Sequence, residues 1–171
     1  MFKSISLENF RNFKKALFNF SPNITVIIGP NTSGKSNILE SIFLLSSGKS
    51  FRARIEEEMI NYQNDIARIK GKFDGLDNTR SLEVVLTRGE IEVGESKLEK
   101  VAKKKLSVNG VSRRLIDFAG SFKVVLFAPS DLGLVTESPS VRRNFLDTVL
   151  SQTDREYRRA SLSYEKGLRQ R

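Results

Sequence analysis

The sequence predicts an α/β fold on three observations. A continuous apolar run, "ITVIIG" (residues 24–29), leads straight into a glycine-rich loop and then into a stretch with helical spacing. The middle of the chain alternates apolar and polar residues with the two-residue period of strands. The last third returns to helical spacing.

Each element has its local reason. Residues 2–8, "FKSISLE", alternate as a strand, and "KALFNFS" follows as its antiparallel partner. Ser21-Pro22-Asn23 is a turn. "ITVIIG" is β-branched throughout, as expected of a strand buried on both faces. Past the loop, Ile38, Leu39, Ile42, Phe43 and Leu45 form the apolar stripe of a helix, with Asn37, Glu40 and Ser41 on its polar face. Ser46-Ser47-Gly48 stops it. Farther on, "DIARIKGKF" and "RSLEVVLTRG" flank the turn-like "DGLDNT". Asn109-Gly110 sits between two alternating runs, the strongest short signal of a hairpin. "FKVVLFA", closed by Pro129, reads as another buried strand.

Ser138-Pro139 then opens a helix, serine as N-cap and proline at the first helical position. Val141, Phe145, Leu146, Val149 and Leu150 give it an apolar stripe. Thr153-x-x-Glu156 matches a capping box for one more helix, along which Tyr157, Ser161, Tyr164 and Leu168 repeat as a short coiled-coil-like seam. The predicted organisation is one α/β unit over residues 1–153 and the start of a helical arm over 154–171.

Composition removes whole classes of chemistry. The 171 residues include no cysteine and no histidine, so disulfides, thiolate zinc sites, thiol nucleophiles and histidine general bases are all excluded. No apolar run nears the roughly 20 residues needed to span a bilayer, and "MFKSISLENF" alternates too much for a signal peptide. A cytoplasmic protein with no membrane partner is expected. The net charge of +9 favours polyanionic partners. It is spread evenly: 8 basic against 5 acidic residues in 1–60, 12 against 9 in 61–120, 9 against 6 in 121–171.

Gly29 to Ser36 reads G-x-x-x-x-G-K-S, the pattern of a phosphate-binding loop. Gly29 lets the chain leave the strand sharply, and Gly34 lets the backbone approach a phosphate. Successive N–H groups then serve an anion at a helix N-terminus. Lys35 reaches the β- and γ-phosphates, and the Ser36 hydroxyl is placed to ligate Mg²⁺. The expected cradle for ATP is Gly29, Pro30, Asn31, Thr32, Ser33, Gly34, Lys35, Ser36 and Asn37, with Ser36 as the metal ligand. No catalytic residue is assigned. Hydrolysis also needs a hydrophobic strand ending in an acid. In "VVLFAPSD" the acid is set back, while "RLID" and "NFLD" are short and lie in or beside helices. Such a cradle should bind better than it cleaves.

Several motifs occur together and in order: "LENFRNF", "GPNTSGKSNILESI", "SGKSFR", the "VNG" hairpin, "VVLFAPSDLGLV", "SPSVRRNFLD" and "LSQTDREYRRASLSYEKGLRQR". Together they resemble the RecF family of bacterial recombination-repair proteins, relatives of the SMC-type ATPases built on an ABC-like head. The resemblance covers nearly the whole chain. It implies a P-loop NTPase head of ABC/SMC type, with a mixed sheet, an antiparallel β subdomain and the start of a helical arm. It further implies ATP binding with weak ATPase activity in the full-length protein, and an ATP-dependent homodimer. DNA partners would be single-strand/double-strand junctions, and other recombination mediator proteins would help load the recombinase at forks and gaps, within the SOS response. In such heads the "NFRNF" segment lies beside the phosphate loop, which makes Arg11 and Asn12 candidates for contacting nucleotide phosphates. Arg52 is a candidate for nucleotide or DNA, or a helix-end cation.

This sequence departs from the family pattern in places. Many relatives carry glycine where Thr32 stands. ABC-type heads usually place glutamine after the strand corresponding to "KVVLFA"; here Asp131 either takes part of that role or caps a helix. The signature motif, the acidic Mg²⁺ strand and the switch residue come later in the family than this chain reaches, so an N-terminal portion of a longer protein is expected. Two alternatives stay open: another ABC-type head, such as an SMC-like chromosome protein or an OLD-like nuclease ATPase, or a nucleotide-binding interaction module without turnover. Basic pairs at Arg113-Arg114, Arg142-Arg143 and Arg158-Arg159, with Lys103-Lys104-Lys105, are candidates for DNA phosphates. The 12 phenylalanines fall mostly at core spacing.

Overall fold

Ile5, Leu7 and Phe10 turn to one side of the first strand and are fully buried there. The computed structural model describes residues 1–74, 78–93 and 97–170, and this alternation organises it. The strand β1 (Phe2–Phe10) pairs antiparallel with β2 (Phe13–Asn19) on one side and with β3 (Ile66–Asp74) on the other. The ladder continues through β4 (Thr79–Thr87) to a pair of strands that comes later in the chain. Between them in sequence, β5 (Glu90–Val93) and β6 (Lys97–Lys100) form a separate ribbon. Then β7 (Lys104–Val108) and β8 (Val111–Arg113) complete a six-stranded sheet in the order β2-β1-β3-β4-β7-β8.

The hairpins follow the local chemistry. Asn109 and Gly110 both take positive φ, 51° and 79°, as a two-residue turn with the twist of its strands requires. Of the expected "DGLDNT" turn, residues 75–77 lie outside the described residues.

One face of the sheet carries the core. Ile69, Phe73, Leu82, Val84, Leu86 and Leu106 join Ile5, Leu7 and Phe10 against Leu44 and Leu45 of α1 (Lys35–Ser47), with Phe118 of the short α2 (Leu115–Phe118) and Met59 of the 3-10 turn Glu56–Met59. Burying each large apolar side chain is worth about 1.5–3 kcal/mol, so this shared face dominates stability. A phenylalanine cluster closes one end: Phe122 lies 5.1 Å from Phe2 and 5.2 Å from Phe73, as core spacing predicts.

A second helical layer follows: the single turn α3 (Gly133–Thr136), then α4 (Pro139–Thr153) and α5 (Arg155–Arg169). Ser138 and Pro139 open α4 as expected. The expected capping box is displaced by one residue. Asp154, not Thr153, caps α5, accepting from the Glu156 N–H at 2.8 Å and the Tyr157 N–H at 3.0 Å. Thr153 instead bonds back to the Val149 carbonyl within α4. Along α5 the seam opens outward, with Tyr157 and Ser161 half-buried and Tyr164 and Leu168 exposed.

Two segments depart from the sequence reading. Residues 24–29 and 122–128 were expected as buried strands, and neither joins a ladder among the described residues. Ile24 is 79% exposed, Ile28 88% and Val125 80%. The apolar, β-branched content predicts a strand, but a strand exists only where a neighbour takes its N–H and C=O groups. Every ladder among the described residues is antiparallel.

Polar side chains lock the two layers. Gln152, buried on α4, accepts with Oε1 from the Ser46 hydroxyl of α1 and from the Val124 N–H, each at 2.9 Å. Arg158 is buried, with no carboxylate in contact among the described residues. It donates to the carbonyls of Ile116 at 2.7 Å and Gln152 at 3.3 Å, and also to that of Ser151. Burial, and then the nearby Arg155 charge, lowers its pKa from the ordinary arginine value. Gly120, at φ 81°, leaves the room this needs: an added Cβ would stand 2.5 Å from the Gln152 carbonyl oxygen.

Candidate phosphate-binding site

The phosphate loop is built on a left-handed glycine. Gly34, at φ 100°, is the N-cap residue of α1 and donates no side-chain cap. The carbonyl of Gly34 accepts from the N–H groups of Asn37 at 2.9 Å and Ile38 at 3.1 Å, so the helix begins at once. Ahead of it, the N–H groups of Thr32, Gly34, Lys35 and Ser36 have no protein acceptor among the described residues. These are the orphan donors of a helix N-terminus, carrying partial positive charge.

The Lys35 ammonium donates to the carbonyls of Gly29 at 2.8 Å and Pro30 at 2.7 Å. Thr32 holds a left-handed φ of 67°, which explains why glycine suits that position. Ser36 is exposed, and its hydroxyl makes no protein hydrogen bond among the described residues.

The turn between β1 and β2 braces the loop. An added Cβ on Gly34 would stand 2.6 Å from Phe13 and 2.8 Å from Asn12 Oδ1. Asn12 donates through Nδ2 to the Ser33 carbonyl at 3.3 Å and accepts through Oδ1 from Asn37 Nδ2 at 2.6 Å. Asn31 and Ser33 are exposed loop residues, and Ser33 Oγ would lie 2.8 Å from a Cβ on Gly29.

Arg11 sits in the same turn, but its donors point elsewhere. Its Nε and Nη2 grip the two oxygens of Glu40 at 2.9 and 2.7 Å, and Nη1 donates to the Glu58 carbonyl at 2.7 Å. Arg52 also meets Glu40, at 2.7 Å, and Asn37 Oδ1. Ser50 Oγ donates to Glu40 Oε1 at 2.6 Å. Glu40 is fully buried, which alone would raise its pKa; hydrogen bonds from Arg11, Arg52 and Ser50 outweigh this and hold it below the usual glutamate value.

Sequence reasoning missed this residue. Periodicity put Glu40 and Ser41 on the polar face and Leu39 in the apolar stripe, whereas Glu40 and Ser41 are buried and Leu39 is 44% exposed. The available signal was three polar residues, Arg11, Ser50 and Arg52, flanking the helix in sequence.

Asp131 resolves as a cap. Its Oδ2 accepts from the Ala128 N–H at 2.6 Å while its own N–H donates to the Ala128 carbonyl, closing a 3-10 turn over Pro129–Leu132. Several basic candidates are likewise engaged within the chain. Lys103 pairs with Glu57 at 2.7 Å, Lys104 with Glu56, and Arg114 with Asp117 at 3.4 Å. Arg142 donates to the Leu134 carbonyl at 3.1 Å. No group of acidic residues that could hold a metal occurs among the described residues, and no helix among them is long and apolar enough to cross a membrane.

A helix springing from a phosphate loop and packed on this antiparallel sheet defines an ABC/SMC-type P-loop head. A family model described as "RecF/RecN/SMC N terminal domain" matches residues 1–132, and the chain belongs to that family. It is 40% identical, over 98% of its length, to the DNA replication and repair protein RecF of Halalkalibacterium halodurans, and 37% identical to that of Ligilactobacillus salivarius. It spans 42% and 41% of those relatives. Among solved structures it is similar to the recombination mediator protein RecF-ATPrS in the RecFOR pathway: TM-score 0.85, 32% identity, covering 97% of this chain and 42% of that one. The SMC head domain from Thermotoga maritima aligns at TM-score 0.55 and 25% identity, over 71% of this chain and 42% of that one.

Proposed function

We propose that this chain is a RecF-like ATP-binding part of a DNA repair and replication protein. One observation carries the reading: the unpaired N–H groups of Thr32, Gly34, Lys35 and Ser36 meet the Lys35 ammonium at the N-terminus of α1. That is a site for a chain of phosphates. An incoming phosphate replaces the Gly29 and Pro30 carbonyls as the partner of Lys35. A relative solved as RecF-ATP, at TM-score 0.81, supports ATP as the nucleotide.

Gly29 to Asn37 hold the nucleotide, with Arg11 and Asn12 beside them. Mg²⁺ fits in part: the exposed, unbonded Ser36 hydroxyl is a suitable oxygen donor, and phosphate oxygens and water supply the rest. With Glu40 committed to two arginines, the described residues offer no second carboxylate at the loop. The chain therefore binds ATP without efficient turnover.

DNA is the proposed macromolecular partner. Lys15, Arg68, Lys70, Lys72 and Lys105 are all exposed and share the solvent face of the sheet, with Glu8, Asp74 and Glu83 as its acids; Glu83 lies 3.7 Å from Arg68, and Asp74 lies 3.0 Å from Lys3. Cations in such a row meet backbone phosphates without reading sequence. Kinship extends the proposal to junction DNA, an ATP-dependent homodimer, other mediator proteins in recombinase loading and the SOS response, and a cytoplasmic setting, with residues 1–153 as head and 154–171 as the start of an arm.

Titration calorimetry with ATP, with and without Mg²⁺, tests the core of this reading. Saturable binding that requires Lys35 is expected. Substantial Mg²⁺-dependent turnover by these 171 residues would reject binding without efficient hydrolysis.

A further inference from the structure

We propose that Glu40 is a positioning residue that aims the Gly34 N–H into the phosphate loop, acting through Arg52, Asn37 and Asn12. The inference rests on the ATP-binding reading above and adds a device that prepares the loop.

The acceptor capacity of Glu40 is fully used. Glu40 Oε1 accepts from Arg11 and Ser50, and Oε2 from Arg11 and Arg52. An ionised carboxylate has about four lone-pair sites, and these bonds use them all. The fully buried carboxylate thus fixes the Arg52 guanidinium, whose own side chain is 36% exposed. The same Nη2 of Arg52 donates to Asn37 Oδ1.

From there the order of donors and acceptors is forced. With its oxygen taken by Arg52, Asn37 presents Nδ2 to Asn12 Oδ1 at 2.6 Å. With its oxygen taken by Asn37, Asn12 presents Nδ2 to the Ser33 carbonyl at 3.3 Å. Flipping either amide would set donor against donor or acceptor against acceptor at both of its ends. A cation at one end of the chain therefore decides which way both amides point.

The far end is the peptide between Ser33 and Gly34. The Ser33–Gly34 peptide bond is trans, so the C=O and N–H of that unit point in opposite directions. Holding the Ser33 carbonyl on Asn12 turns the Gly34 N–H the other way, toward the loop's unpaired donors. Gly34 cannot hold this orientation alone, because glycine is the residue least restricted in φ. Preorganised donors spare a ligand the cost of ordering them.

The test uses the full 171-residue chain and the variants Glu40→Gln, Arg52→Gln, Asn12→Ala and Asn12→Ala/Arg52→Gln. Two quantities are read: ATP affinity by calorimetry, and the order parameter of the Gly34 N–H vector by nitrogen-15 relaxation without nucleotide. Each single variant should weaken ATP binding about 10-fold and lower the Gly34 order parameter. The double variant should lose no more than its worse single, since both residues serve one chain. Losses that add, or a Gly34 order parameter that stays at the wild-type value, would overturn the proposal. Should Glu40→Gln fail to fold, the substitutions at exposed Asn12 and Arg52 decide alone. Absence of ATP binding in the wild type would refute the nucleotide reading, while the relaxation data would still judge the relay.

Discussion

The Lys35 ammonium lies 2.8 Å from the Gly29 carbonyl oxygen, tying the only cation of the phosphate loop to its first glycine. Gly29 is exposed and Lys35 half-buried, and their hydrogen bond is open to solvent, so the contact contributes little to folding. Lys35→Ala should weaken ATP binding by about 100-fold, the worth of a charge-assisted hydrogen bond of about 3 kcal/mol. Its thermal midpoint should stay within a few degrees of wild type. Unchanged affinity in calorimetry would remove the phosphate-loop assignment.

Two nearby positions with positive φ should respond differently. At Gly34, alanine adds left-handed strain of about 1 kcal/mol and a clash with Phe13 and Asn12. A loss of about 2–4 kcal/mol in urea unfolding is expected. Thr32→Gly relieves similar strain but frees the unfolded chain, so it should be nearly neutral. Comparable destabilisation by both would show that the loop does not depend on its glycine geometry.

Glu40 makes stability depend on pH with a definite sign. Its folded pKa is depressed below 4.5, so the stabilisation is complete above that value and lost as pH falls through the lower folded value. Unfolding curves from pH 6 downward should therefore converge for wild type and Glu40→Gln in the acid range. Curves that stay parallel would mean the carboxylate gains nothing from Arg11 and Arg52.

Arg158 and the sheet-face lysines should separate stability from DNA binding. Arg158→Ala leaves the Ile116 and Gln152 carbonyls without their donor and should cost about 2–3 kcal/mol, with no change in the salt dependence of DNA binding. Lys70→Ala/Lys72→Ala should leave stability alone and lower the salt slope by roughly 0.7–0.9 per lost phosphate contact. Filter binding across a salt series reads both, and a slope insensitive to the lysines would relocate the DNA surface.

The unpaired segments carry a solubility cost. Ile28, Val125 and Phe127, exposed on segments that join no ladder among the described residues, make an uncovered apolar surface, a template for association. Val125→Lys should reduce self-association in sedimentation velocity while leaving the melting temperature unchanged. A drop in stability would instead place Val125 in the folded core.

By itself the sequence determined the features whose cause is local: the loop Gly29–Ser36 and the start of α1, the Asn109-Gly110 hairpin, the strand alternation of β1, β3 and β4, and the proline-led start of α4. Each depends on backbone preferences within a few residues, which residue type and spacing report directly. Tertiary structure decided the rest. Glu40 reads as a surface residue until Arg11, 29 positions away, and Arg52, 12 positions away, enclose it. Arg158 reads as a DNA contact until Gly120 makes room for it beside the Ile116 carbonyl. The runs 24–29 and 122–128 have the composition of buried strands, yet burial and pairing depend on what lies alongside. Periodicity reports which face a residue would turn inward; it does not report whether a partner is there to receive it.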